Sequence, residues 1–218
     1  MKKQTIFLTG ATGHMGHMGL EGLKQLVKHL DVYNLTLLVL PTEHDKEVIA
    51  PYEKMEGVNV VYGDLTVYDD VLRCVKGADV VLHVGGMVSP AADYHPKRTL
   101  EVNVTAVKNI IKAIKAQPHP DCIKLVYIGT VAETGGRNAP IHWGRTGDPI
   151  KISVYDFYAL SKVLAGHWSP KSLPLPWNYD EEAQLNPFFA QVWYPHHDKA
   201  EHNVYDERIL KDQSYAAI

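Results

Sequence analysis

Short runs of apolar and β-branched residues alternate along the chain with longer segments whose apolar positions return every three or four residues. Residues 4–9 form the first such run and stop at Gly10, which predicts a buried strand. Behind it Leu20, Leu23, Leu26, Val27 and Leu30 recur at helical spacing, predicting a helix over about 15–30. A second apolar run, 35–40, ends at Pro41, and a short helix is predicted over 46–54 before a strand at 58–62. Residues 69–75 read as a helix, with Thr66 as its cap and Asp69 in the acidic position of a capping box. The run 80–84 is a further buried strand. Leu100, Val104, Val107, Ile110, Ile111 and Ile114 then mark a long amphipathic helix over 97–116, followed by a fifth strand at 124–128. Strands alternating with helices at this pace predict right-handed βαβ units and a parallel sheet, an α/β doubly wound fold.

That pattern holds to about residue 165. After Gly166 the texture changes: Pro170, Pro174, Pro176, Pro187 and Pro195 interrupt every window, and Trp168, Trp177 and Trp193 lie here. No clear amphipathic helix or buried strand follows, apart from a weak helical pattern over 201–211. The chain therefore divides into a regular α/β part, 1–165, and an atypical segment, 166–218.

Composition adds limits to this picture. With 218 residues, 45% hydrophobic and 22% charged, the chain can bury one good core. A net charge of −3 gives no reason to expect a nucleic-acid or membrane-surface partner. Cys74 and Cys122 make neither a disulfide framework nor a C-x-x-C pair, which favours a reducing compartment. Met1-Lys2-Lys3 leads straight into a strand without the features of a signal peptide, and no apolar run is long enough to span a bilayer. A soluble, cytoplasmic protein is expected.

The candidate chemistry begins in the loop after the first strand, Gly10-Ala11-Thr12-Gly13-His14-Met15-Gly16. A loop that leaves a strand and enters a helix needs glycine for a tight turn, for close approach of phosphates to the backbone, and for packing of helix on strand. The helix N-terminus then stabilises a pyrophosphate through its free N–H groups and dipole. The spacing here is Gly-x-x-Gly-x-x-Gly. His14 and His17 lie three apart in the repeat His14-Met15-Gly16-His17-Met18-Gly19, but no carboxylate or cysteine stands nearby to complete a metal site, so none is assigned. Asp64, in Gly63-Asp64-Leu65 after the third strand, has two readings: acceptor for an adenine amino group, or the start of a turn. After the second strand, Leu40-Pro41-Thr42-Glu43-His44 carries neither the clean acidic signature of an NAD site nor the basic one of an NADP site. Glu43 leans to NAD; the cofactor expectation is NAD or NADP.

The second constellation is Tyr158-Ala159-Leu160-Ser161-Lys162. On a helix, its i, i+4 spacing sets a phenol beside an ammonium. Tyrosine, with a pKa of about 10, is a poor base near neutrality, and a nearby cation favours its phenolate. A hydroxyl at a neighbouring strand end can hold a substrate carbonyl against the tyrosine, and Thr130, just past the fifth strand, is placed for this. His142, Trp143 and Arg145, between Thr130 and Tyr158, read either as substrate-loop residues or as an ordinary surface loop.

With these residues in order, the chain resembles the extended short-chain dehydrogenase/reductases, in their NAD-dependent epimerase/dehydratase and 3β-hydroxysteroid dehydrogenase-like branch. The matches are the stretch from Thr9 to Gly16, Gly63-Asp64-Leu65, His83-Val84-Gly85-Gly86, Asn103-Val104-Thr105-Ala106, Thr130, and Tyr158 with Lys162. The resemblance implies a Rossmann-like, NAD(P)-binding domain over 1–165. Cofactor contacts would come from Gly10, Thr12, Gly13, His14, Met15, Gly16, Asp64, Leu65, Gly85 and Lys162, with Gly86 also passing beneath the cofactor. Tyr158 would be the acid/base and Lys162 its modulator and a ribose ligand. Thr130 would stand where serine is more usual, and Asn103 would support the active-site helix, although it also reads as a surface asparagine. A small-molecule substrate bearing a hydroxyl or carbonyl, and a homodimer, are implied as well. The alternative is a nucleotide-binding module or truncated member without turnover.

Family members usually continue past the Tyr-Lys helix into a substrate-binding portion. Here Ala165-Gly166-His167-Trp168-Ser169 is expected to interrupt that helix. Two readings stand: a genuine irregular tail wrapping the domain, or a frameshift near residue 165. One nucleotide back, the His-Trp codons read Leu and, with a TCN codon at Ser169, an Arg-x-Leu-Val continuation becomes accessible. The gene sequence tests this directly.

Overall fold

The computed structural model describes residues 2–13, 18–130, 132 and 156–172, with side chains left out at 18 and 167–172. Five strands, β1 (Gln4–Thr9), β2 (Tyr33–Val39), β3 (Val58–Tyr62), β4 (Val80–His83) and β5 (Lys124–Tyr127), form one sheet in the order β3-β2-β1-β4-β5. Every pairing is parallel. The helices are α1 (Met18–Leu26), α2 (Glu43–Glu53), α3 (Tyr68–Val75), α4 (Ala91–Tyr94), α5 (Pro96–Lys115) and α6 (Phe157–Ser172). This is the doubly wound, Rossmann-like arrangement the alternating pattern predicts.

Both faces of the sheet are covered, which is why β1 and β2 carry runs of consecutive buried residues rather than an alternation. On one face Ile6, Leu8, Leu35 and Leu37 pack with Leu23 of α1 and Ile49 of α2. On the other, Phe7, Val81, Leu125 and Tyr127 pack with Val71, Cys74 and Val75 of α3, Val107, Ile110 and Ile114 of α5, and Ala165 of α6. Among the described residues no helix is long and apolar enough to cross a membrane.

The sequence reading does not predict the short α4; the other differences from it lie at element ends. α1 is described from Met18, the predicted start at about 15 lying outside the described residues, and the stretch 27–29 tightens into a 3-10 turn. α2 begins three residues earlier than predicted because the Thr42 side chain accepts from the Asp45 N–H and caps it. The capping box on α3 does not form. Val67 holds the cap position without a side-chain bond, and the Thr66 hydroxyl donates instead to Asp64 Oδ1 (2.8 Å). α6 is not interrupted at 165–169 but runs on to Ser172. Ala165 is fully buried, and a Cβ at Gly166 would stand in ordinary contact with the Tyr127 ring, so the helix stays seated on β5 through this point. The segment 173–218, with the weak helix at 201–211, lies outside the described residues.

Candidate functional site

In an open parallel sheet, ligands bind beyond the carboxyl ends of the strands where the strand order reverses. Here that place is the gap between β1 and β4, flanked by Gly10 and Gly85 among the described residues. Gly10 leaves β1 at φ +74, a left-handed conformation that glycine adopts without strain. A Cβ there would lie 2.6 Å from both Cα and N of Gly85, at the end of β4. The two backbones therefore touch only because both residues are glycine. Gly13 closes the turn, its N–H donating to Gly10 O (3.1 Å), while the space at its own Cβ position meets nothing closer than that oxygen, at 3.4 Å. Thr12 is half-buried beside it. His14, Met15 and Gly16 lie outside the described residues.

Gly19 is a position the sequence reading left unassigned. It sits in the first turn of α1, and a Cβ there would fall 1.9 Å from the Gly10 carbonyl oxygen. The close packing of helix against strand end that a dinucleotide loop requires is thus made by Gly19. The signal was present in the repeat of His-Met-Gly, which offers a second glycine one repeat later.

Asp64 follows β3 and is half-buried, forming a turn with one carboxylate oxygen and facing Arg98 with the other. Its Oδ1 accepts from the Thr66 N–H (2.7 Å) and hydroxyl, and its Oδ2 lies 3.5 Å from Arg98 of α5. Its N–H donates to Asp70 Oδ2 (2.9 Å), whose carboxylate occupies the space left by Gly63. Leu65 lays its side chain where a Gly85 Cβ would point, and its carbonyl is held by Asn109 Nδ2 (2.9 Å). Glu43 pairs with Lys46 on the exposed start of α2.

Asn103 is buried, which removes its reading as a surface residue. Its amide brackets Met87, accepting from the N–H (2.7 Å) and donating to the carbonyl (2.9 Å), and it donates also to Ser161 Oγ (2.8 Å). Ser161 passes the link on to the Tyr158 carbonyl (2.7 Å). One amide thus ties α5 to the loop after β4 and to α6. Gly86 makes room for it, since a Cβ there would lie 2.9 Å from Asn103 Oδ1.

Asp156 caps α6 by accepting from the Ala159 N–H (2.7 Å), and so fixes Tyr158 in the first turn. Tyr158 is half-buried; Lys162, one turn later, is 3% exposed. The Lys162 ammonium lies 4.4 Å from the centroid of the Tyr127 ring at the end of β5. Thr130, three residues on, is buried, and its Oγ1 accepts from the Ala132 N–H (3.2 Å). His142, Trp143 and Arg145 lie outside the described residues.

The parallel register places Thr9, His83 and Tyr127 side by side across β1, β4 and β5. The Thr9 hydroxyl accepts from the Gly85 N–H (3.0 Å) and shares a hydrogen bond with His83 Nδ1 (2.8 Å). The His83 ring stacks on Tyr127, centroids 5.8 Å apart. Burial, with a smaller contribution from the Lys162 charge, pushes the His83 pKa down to about 3, so the imidazole is neutral near neutral pH. No sequence periodicity marks this row, because its members sit on different strands.

The profile of the 3-beta hydroxysteroid dehydrogenase/isomerase family matches residues 8–169, taking in the glycine loop, the row and most of α6. The chain belongs to this family. A human relative, 3 beta-hydroxysteroid dehydrogenase type 7, is 30% identical over 115 residues, half of this chain and 29% of that protein. Among solved structures the family member is similar to dTDP-glucose 4,6-dehydratase DesIV from Streptomyces venezuelae with NAD and TYD bound (TM-score 0.62, 18% identity, 74% of this chain and 49% of that one). It is also similar to WbmH from Bordetella bronchiseptica in complex with NAD+ (0.61, 16%, 77% and 52%) and to a Thermus thermophilus UDP-glucose 4-epimerase with NAD (0.60, 20%, 76% and 49%). The chain thus spans about half the length of these structures and a smaller part of the human relative.

Proposed function

We propose that this family member is an NAD(P)-dependent oxidoreductase, of the dehydrogenase or epimerase/dehydratase kind, acting on a carbon that bears a hydroxyl or carbonyl. The observation that carries the reading is the placement of Tyr158 and Lys162 on one helix, with Lys162 buried at the strand ends beside the β1–β4 gap. The glycines fit a dinucleotide there: Gly10, Gly85 and Gly19 bring three backbone segments into contact, and Gly13 closes the turn on Gly10 O. In the proposed site Gly10, Thr12 and Gly13, with His14, Met15 and Gly16, hold the diphosphate. Asp64 and Leu65 border the adenine, and Gly85 and Gly86 lie beneath the cofactor. Bound NAD or NADP supplies the ring that accepts or gives up hydride.

The chain's own residues then handle the proton. Tyr158 takes it from the substrate hydroxyl during oxidation and returns it to the carbonyl oxygen during reduction. The Lys162 ammonium favours the phenolate and hydrogen-bonds the ribose. Thr130 donates its hydroxyl to the substrate oxygen, and Asn103 fixes the backbone around Tyr158. A small-molecule substrate, a cytoplasmic location and a homodimer paired through helices flanking the site complete the proposal.

Titration with NADH and NADPH, followed by fluorescence, and then a panel of alcohols and aldehydes, tests it. Hydride transfer to or from any member, abolished in Tyr158→Phe while cofactor binding persists, is the expected outcome; turnover unchanged in that variant rejects Tyr158 as the base. A second reading, a nucleotide-binding module without turnover, draws on the family match stopping at residue 169. Tight cofactor binding with no hydride transfer across the panel would favour it.

A further inference from the structure

Lys162 is a long, flexible side chain whose ammonium is buried, and burying such a charge is costly unless partners compensate it. Tyr127 meets this lysine twice. Its hydroxyl donates to the Lys162 carbonyl oxygen (3.2 Å), and its ring lies under the ammonium, 4.4 Å from Nζ to the centroid. Tyr127 is itself 2% exposed and ends β5, so it moves only with the sheet. Behind it the ring stacks on His83, which Thr9 holds in turn.

We propose that Tyr127 is the positioning residue for Lys162, its hydroxyl seating the α6 backbone and its ring face holding the ammonium beside the strand ends. The proposal rests on the reading of Tyr158 and Lys162 given above. An aromatic face attracts a cation more strongly when water is excluded, as it is here. The hydroxyl contact adds direction, because it fixes the height of α6 over the sheet at the residue that carries the ammonium. Among the described residues, His83 from β4 is a titratable group that faces this contact. His83 stays neutral above about pH 3 and so adds no competing charge.

The test needs neither cofactor nor substrate. Phenolate absorbance of the full chain is titrated in wild type and in Tyr158→Phe, and their difference isolates one of the twelve tyrosines. The same difference is taken in the background of Tyr127→Met, which keeps bulk but loses the aromatic face, and of Tyr127→Phe, which keeps the face. Tyr127→Met is expected to move the Tyr158 midpoint to higher pH, and Tyr127→Phe, which keeps the face but loses the hydroxyl contact, to move it the same way by less. An unchanged midpoint in Tyr127→Met overturns the role of Tyr127. A wild-type midpoint in the ordinary phenol range overturns the reading of Tyr158 itself, a separable result. Should Tyr127→Met not fold, NMR of the wild-type chain decides the matter. The Lys162 ε-methylene, assigned by its loss in Lys162→Arg, should resonate upfield of other lysines because the ring shields it; an ordinary position overturns the proposal.

Discussion

Burial and the neighbouring Lys162 charge hold His83 neutral, and this ties stability to pH in a definite direction. In the unfolded chain an imidazole titrates at about 6.5; in the folded one it does so at about 3. Between these values the unfolded state binds a proton that the native state refuses. Stability from this group is therefore complete above about pH 6.5 and falls as pH drops toward 3. The limiting slope is about 1.36 kcal/mol per pH unit, so roughly 2 kcal/mol is lost by about pH 5. Urea unfolding near pH 7 and near pH 5, in wild type and in His83→Gln, checks this. The variant should show a shallower pH dependence by that amount; identical dependence would mean His83 is not held neutral. The residue itself was visible in the sequence, within a buried run ending at Gly85. Its environment was not, because Thr9 and Tyr127 join it only through the register of β1, β4 and β5. Asn103 shows the same limit: its helical position was legible, but its bonds to Met87 and Ser161 depend on where α5 and α6 meet.

Element identity was legible nearly throughout, since hydrophobic period and glycine placement separate strand from helix over these lengths. Element ends were less so, because they turn on individual side chains: Thr42 caps α2, whereas Thr66 spends its hydroxyl on Asp64 and leaves α3 without a side-chain cap. α1 carries the most useful case, since two of its glycines differ in everything but secondary structure. Gly19 faces the Gly10 carbonyl so closely that a methyl group would lie 1.9 Å from the oxygen, whereas Gly22 has nothing within 4 Å. Gly22→Ala should stabilise the protein by about 0.5–1 kcal/mol, the ordinary helix-interior gain. Gly19→Ala must push backbone against backbone and should destabilise by roughly 1–3 kcal/mol, with loss of dinucleotide binding. Denaturant midpoints and fluorescence titration of the two variants measure both effects. Equal responses would show that Gly19 does not pack against the Gly10 carbonyl.

At the scale of the whole molecule, the alternation of strands and helices implied a parallel sheet, while the order β3-β2-β1-β4-β5, and with it the gap between β1 and β4, follows only from packing both faces at once. The two free cysteines report on that packing from opposite situations. Cys122 is exposed in the turn before β5. Cys74, on α3, is 1% exposed within the cluster that α3 and α5 make on the sheet. Burial raises its pKa to about 12, with Arg73 and Asp70 exerting smaller, opposed effects. Since the thiolate is the reactive species, at about pH 8 only on the order of one Cys74 in ten thousand is ionised, and even that fraction is out of reach of reagent. In the native protein a thiol reagent such as Ellman's should therefore label one cysteine promptly. The second should react only as the core opens, at a rate that rises with urea in step with loss of native structure. Mass spectrometry of the early product should find the label on Cys122. Two native thiols of similar reactivity would mean that α3 leaves the sheet without global unfolding, and the close packing that holds Asp70 under the Asp64 loop would then be a transient feature of the site.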